Sequence, residues 1–239
     1  MRKLFYLLVI AAIAASCSKA PKYVVTGTVD GAESGVVLLQ KRIPGGYSVL
    51  DSAVLENGVF KMEGFIDYPQ MVMLSLKGAR GGMNFFLENS EISINGHADS
   101  LYLASVTGSA SQSEYETYRA SFEGSNSDMQ TAFEKYRVAK TAGDEELATT
   151  LEKELEGFEN QQLDMKKQFI ANNPTSFITP TVLNEISYYL EAPEMESLLG
   201  GLDTTLNKVE AVTKLKERLV SLKTVAIGQK APDFELNDV

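Results

Sequence analysis

A chain of 239 residues with one cysteine, one histidine and no tryptophan has few groups with which to do chemistry. The solitary Cys17 excludes an internal disulfide, a Cys-x-x-Cys redox pair and a thiolate cluster, because each needs a second cysteine. His97 has no second histidine with which to share a metal or relay a proton. Without disulfides, the folded parts must be held by burial alone. No run is apolar for long enough to span a bilayer: Leu4 to Ile13 covers about ten residues, against the roughly 20 that a hydrocarbon core requires. Positive charge is also scarce. Lys and Arg number 22 against 32 Asp and Glu, and the net charge of -10 argues against a nucleic-acid partner.

What the N-terminus does have is a basic start at Arg2 and Lys3, the apolar stretch, and the small residues Ala14, Ala15 and Ser16 before Cys17. These are the parts of a secretory signal. Ala14-Ala15-Ser16-Cys17 resembles the lipobox of bacterial lipoproteins. The resemblance implies cleavage between Ser16 and Cys17, acyl chains on Cys17, and a membrane as partner. Two or more chains, at about 0.8 kcal/mol per buried methylene, give stable rather than transient anchoring. Residues 18–22 would be the tether, with Lys19 and Lys22 and no acid, and the expected location is the cell envelope, on the periplasmic side of a membrane. Loss of Arg2 and Lys3 moves the formal charge from -10 to -12.

Residues 23–108 read as short strands separated by turns. Tyr23 to Val29 ends at Asp30-Gly31, and Gly35 to Gln40 ends at Pro44-Gly45-Gly46, where glycine supplies positive φ and proline fixes the entry angle. The clearest hairpin is Asp51 to Glu56, then Asn57-Gly58, then Val59 to Gly64, because Asn-Gly suits a type I′ turn. Strands at 70–77, 83–87 and 91–96 follow. Six to eight antiparallel strands in about 85 residues predict a small β-sandwich, since a single flat sheet would leave an apolar face uncovered.

Past Gly108 the period changes from two to about 3.6. Ser113 to Glu116 and Ser127 to Gln130 fit capping boxes. Met129, Phe133, Tyr136 and Val138 form one stripe, and Leu147, Leu151, Leu155, Phe158, Met165 and Phe169 another, predicting a helical hairpin that stops at Asn173-Pro174. Prolines 180 and 193 open short helices, and a last helix is expected over 205–223. The predicted class is therefore α+β: a β-sandwich over 23–108 and an all-helical segment over 109–224.

Candidate chemistry is sparse along this chain. His97 follows a strand end and reads as a loop histidine. Asp144-Glu145-Glu146 and Glu152, Glu154 and Glu156 spread around a solvated helical face rather than converging on a cation. Gly78 to Gly82 lacks the glycine-lysine ending of a phosphate loop and reads as a hairpin turn. Ser52, beside Asp51, has no histidine in pattern to activate it. Tyr115, Tyr118, Phe122, Tyr188 and Tyr189 could line a groove for a peptide or glycan, but their helical spacing favours a core. No catalytic residue, metal site or cofactor is expected.

Several segments, taken in order, resemble the domain of unknown function 4369 of Bacteroidetes-type lipoproteins. They are Thr26-Gly27-Thr28-Val29, Asp51-Ser52-Ala53, Asn57-Gly58-Val59-Phe60 with Gly64, Phe85-Phe86-Leu87-Glu88-Asn89 and Val106-Thr107-Gly108-Ser109. In that family a β domain and helical linker commonly precede a thioredoxin-like domain of the thiol:disulfide oxidoreductase and peroxiredoxin superfamily. Ile227 to Leu236, with Ala231-Pro232-Asp233-Phe234, is similar to the start of such a domain, placing its first strand in residues 225–239. The resemblance implies a lipid-anchored, non-catalytic module like the N-terminal part of a tethered oxidoreductase, with a possible periplasmic protein partner. Two alternatives stand beside it: an oxidoreductase whose catalytic cysteines lie beyond Val239, and a structural lipoprotein that binds peptide or glycan.

Overall fold

The computed structural model describes residues 22–225. Ser16 and Cys17, residues 18–21 of the tether, and residues 226–239, where the thioredoxin-like strand is expected, lie outside the described residues. Among the described residues eight strands come first: β1 (Tyr23–Asp30), β2 (Ser34–Ile43), β3 (Gly46–Glu56), β4 (Val59–Gly64), β5 (Gln70–Leu76), β6 (Met83–Leu87), β7 (Glu91–His97) and β8 (Ser105–Thr107). Six helices follow: α1 (Ala110–Ala120), α2 (Glu123–Ala142), α3 (Glu145–Asn172), α4 (Thr179–Ile186), α5 (Ala192–Gly200) and α6 (Glu210–Thr224), with 3-10 turns at Ala98–Leu103 and Thr204–Lys208. The α+β class, with β structure before helices, is the one the sequence predicts.

The β part differs from the expected sandwich in how its layers are made. All eight strands form one sheet in the order β6-β5-β2-β3-β4-β1-β7-β8, curled into a near-barrel around one core. The curl covers the inner face that would otherwise need a second sheet. Pairing is antiparallel except for β1 and β7, which run parallel from Val24↔Glu91 to Asp30↔His97. Val25, Val37, Leu39, Leu74, Phe85 and Ile94 are fully buried inside. The phenyl ring of Phe60 lies across Gly27, where an added Cβ would overlap it. A strand glycine here is a seat for a neighbouring ring.

The Asn57-Gly58 turn is as predicted, with φ of 52° and 75°. The preceding hairpin is longer than predicted. β2 continues to Ile43 and β3 begins at Gly46, closing a two-stranded ribbon at Pro44-Gly45. The register shifts where Leu39 faces Asp51 and Gln40 faces Val49, so Leu50 is an extra residue. Such a bulge bends and twists its strand.

Helix starts also move. Ser109, not Ser113, caps α1, its side chain accepting from the Gln112 N–H at 3.0 Å. α2 begins at Glu123, so Ser127 is inside it, and the Ser127 carbonyl accepts from the Thr131 hydroxyl. The last expected helix is split: a 3-10 turn capped by Asp203 ends at Val209, whose extended ψ of 123° resets the chain before α6.

β6 joins the two parts. In its Met83-Asn84-Phe85-Phe86-Leu87, Phe85 points into the barrel core, while Phe86, also fully buried, belongs to the helical core with Tyr118, Ile178, Val182 and Leu206. Phe85 and Phe86 are thus buried on opposite faces of the strand, while Asn84 is exposed. α2 and α3 leave this body as an antiparallel hairpin turning at Gly143, whose φ is 74°. At 1.5 Å per residue α2 is about 30 Å long. In the outer hairpin Ala139, Ala148 and Leu151 form a small buried cluster with Tyr136 packed against it, and Ala132 is buried nearer the base.

Candidate functional site

The residues that carry the family resemblance serve as joints. At the β6 edge, the Phe86 N–H donates to Gln112 Oε1 at 2.9 Å and the Phe86 carbonyl accepts from the Ser109 hydroxyl at 3.0 Å. Both backbone groups of an edge residue are thus satisfied by the first turn of α1. Glu88 closes the same corner, its carboxylate accepting from the Ala110 N–H at 2.5 Å, the Ser111 N–H at 3.2 Å and the Ser111 hydroxyl at 2.6 Å. An anion at a helix N-terminus is stabilised by the free amides and the helix dipole. Asn89 pairs with both backbone groups of Ile66, accepting from N–H at 3.1 Å and donating to the carbonyl at 2.7 Å.

Glycines complete the set. Gly108 has φ of 90°, and a Cβ there would overlap the Glu91 carbonyl oxygen. Gly64 lies under the Tyr23 ring, whose hydroxyl donates to Asp51 Oδ2 at 2.9 Å. Burial and the Asp51 carboxylate push the Tyr23 hydroxyl up to about 12, so it remains a donor. Asp51 also accepts from the Ser52 N–H at 2.7 Å. The Asp51 carboxylate is thus taken up by the Tyr23 hydroxyl and the Ser52 amide.

The other sequence candidates are also structural. His97 Nδ1 accepts from the Asp99 N–H at 3.2 Å, capping the 3-10 turn, and its ring covers Gly31. Asp144 caps α3 through the Leu147 N–H at 3.0 Å, and Glu145 pairs with Lys140 at 2.9 Å. Glu152, Glu154 and Glu156 lie along α3 without converging on one another, and among the described residues no group of acids and histidine forms a metal site. Gly78–Gly82 is the β5–β6 turn, with positive φ at Gly78 and Gly81.

The aromatic candidates divide. Tyr115, Tyr118 and Phe122 come together at the base of the arm, whereas Tyr188 and Tyr189 stand exposed on the body. Tyr118 is the centre of the group: its ring lies 5.1 Å from Phe122 and 4.6 Å from Phe169. These residues are core, as their spacing favoured, and their edges floor an open groove of about 600 Å³. Arg119, Asn126, Gln162, Lys166 and Glu185 line it above. Lys166 pairs with Glu185 at 3.2 Å, and the Tyr118 hydroxyl donates to Glu185 at 3.4 Å. Burial, and then the Glu185 charge, raise the Tyr118 and Tyr115 hydroxyls above the ordinary phenol value, keeping both neutral. The groove offers ring edges, neutral hydroxyls, amides and both signs of charge.

A second groove, of about 540 Å³, opens where the β2–β3 ribbon passes α4 and α6. Sequence reasoning missed it because Lys41 and Glu210 are 169 positions apart. Lys41 meets Glu210, which also takes Lys214 at 2.7 Å, and the Glu210 N–H donates to the Tyr68 hydroxyl at 3.2 Å. Lys214 first, then Lys41, hold the Glu210 carboxyl down at about 2.

Compared with known proteins, residues 23–115 match the family model of a domain of unknown function (DUF4369), which covers the barrel and the first half of α1. No curated protein and no solved structure matches the chain.

Proposed function

We propose that this chain is a membrane-anchored, non-catalytic module of the cell envelope, held through acylated Cys17, whose folded body positions or recognises a partner. The observation that carries the reading is the use made of residues inside the span that matches DUF4369: Gly27, Gly64, Phe86, Glu88, Asn89, Gly108 and Ser109 seat rings, cap a helix or close a strand edge. A motif spent on joints supports a scaffold rather than a reaction centre. The anchor is tested by Cys17→Ser, which should move the chain from the membrane pellet to the soluble fraction; retention on membranes at high salt contradicts it. Purified residues 18–239 should show no thiol-dependent reduction of insulin disulfides, and measurable turnover would overturn the non-catalytic part.

The Tyr118 groove favours a second reading, in which the recognised partner is an extended peptide or a glycan, ligands that use aromatic edges beside amide and carboxylate groups. Tyr115→Ala should then weaken capture on a peptide or glycan array. Unchanged capture removes the groove from the account. The likeness of residues 227–236 to a thioredoxin-like start supports the oxidoreductase alternative, with dithiol exchange carried out by cysteines encoded after Val239. An in-frame Cys-x-x-Cys in the following nucleotide sequence would establish it.

A further inference from the structure

The β2–β3 ribbon is apolar where a strand tip is ordinarily charged. Ile43, Tyr47, Val49 and Leu50 are all exposed, and Tyr47 and Val49 are about half accessible at 48% and 53%. From Leu38 to Ser52 the only charges are Lys41, Arg42 and Asp51. Asp51 is occupied by the Tyr23 hydroxyl, and Lys41 by Glu210. Edge ribbons of soluble domains usually carry charge or proline against unwanted association. Here Pro44 sits only in the turn.

Register locates the ribbon relative to the chain entry. Tyr23 pairs with Gly64 and bonds to Asp51, so these three residues mark one end of the barrel. β1 and β3 are both antiparallel to β4, and therefore parallel to each other. Residues 46–50 precede Asp51 and thus project past the barrel end at which Tyr23 enters. Five residues make about 16 Å of strand. Phe65, directly after Gly64, is exposed at this same end.

The length of chain before β1 sets what the ribbon faces. Five residues, Ser18 to Lys22, separate Cys17 from Tyr23. Fully extended they reach no more than about 20 Å. On the reading that Cys17 is acylated, the barrel end carrying the ribbon cannot leave the immediate surface of the bilayer. Lys22 and Arg42 bring positive charge to this end, beside Asp51, in a chain of net charge -10. Aromatic, aliphatic and cationic side chains together match the boundary between headgroups and acyl chains.

We infer that the tip of the β2–β3 ribbon, with Tyr47, Val49 and Leu50 foremost, inserts into the surface of an anionic bilayer as a second contact beside the Cys17 anchor. This contact fixes the orientation of the body, since a single point of attachment leaves rotation free. It rests on the anchor reading above. Its depth would be that of interfacial elements, about 5–10 Å into the headgroup and acyl boundary.

The absence of tryptophan makes the test direct, because a single introduced indole reports alone. Two full-length acylated variants, Tyr47→Trp and Tyr188→Trp, are reconstituted in vesicles of phosphatidylglycerol and phosphatidylethanolamine, with melting curves to verify folding. Mass spectrometry of the N-terminal peptide reports acylation separately. The Tyr47→Trp variant is expected to show blue-shifted emission and to lose roughly half of it to bromine-labelled acyl chains, with the emission of Tyr188→Trp unaffected. Acylated Tyr47→Trp protein whose emission is neither shifted nor quenched overturns the inference and leaves the anchor standing. An unacylated Cys17 removes both. A shift in the Tyr47→Trp variant that grows with protein concentration in detergent, without vesicles, assigns the ribbon to contact between copies and overturns the inference.

Discussion

The body and the α2–α3 arm of this molecule are both well-formed structure, yet they are stabilised in different ways. In the body, β6 buries Phe85 and Phe86 on opposite faces, Phe86 ties the barrel to the helices, and the edge it lies on is closed by Ser109, Gln112 and Glu88. The arm has one seam. Beyond its base it buries Ala132, Ala139, Ala148 and Leu151, while Phe133, Val138 and Leu147 are exposed. Small residues let two helices approach closely but remove little apolar area from water, at about 25 cal/mol per Å². The lesson is that helix length does not measure stability: the longest helix, α3, is firm where Phe169 and Ile170 meet the body and lean where it faces only α2.

The sharpest way to break this contrast is Phe86→Ala. Loss of a fully buried phenyl group shared between barrel and helices should cost about 3–5 kcal/mol, and barrel and helix signals should fall together in urea. If helices melt separately in the wild-type chain, the body is not one unit. A smaller effect is expected in the arm. Leu151→Ala should weaken the arm by about 2 kcal/mol, read as faster amide exchange over 130–155, with the tyrosine near-ultraviolet signal of the body unchanged. A matching drop in body stability would remove the distinction.

The smallest effect concerns the seam between ribbon and helices. Glu210, ordinarily near 4.5, is held at about 2 by Lys214 and Lys41. Its folded value lies below its unfolded one, so the stabilisation is present above about 4.5 and is lost as pH falls from there toward 2. The group is partly exposed, so screening keeps this under about 1 kcal/mol. Lys41→Met should flatten the acid limb of a stability profile in that window, and an unchanged limb would show that Lys214 alone holds the carboxylate.

How much of this was legible follows from range. The Asn57-Gly58 turn and the alternation of Phe60 and Met62 are local signals, and both read correctly. The single curled sheet did not, because the parallel pairing of β1 with β7 links residues 67 positions apart. Ser113 and Ser127 look like caps in isolation. Ser109 is preferred because Phe86 of β6 and Glu88 just after it add bonds there, although Ser109-Ala110-Ser111-Gln112 has the same Ser-x-x-Gln spacing. Helical spacing marks the aromatic group at Tyr118 as core, which holds, but the same reading fails for Tyr188 and Tyr189, which are exposed. The Tyr118 groove was not resolved, since Gln162, Lys166 and Glu185 arrive from α3 and α4.

The central claim is that Phe86, Glu88 and the Ser109 cap lock the barrel and proximal helices into one body from which the arm opens independently. Native-state hydrogen exchange of the full chain, followed by peptide as denaturant is raised, tests it most directly. The account predicts that amides of β1, β5, β6, α1 and α4 converge on one global opening, while those of residues 130–155 exchange at lower free energy throughout. Arm amides protected to the same level as β6, or β6 exchanging before the arm, would contradict it.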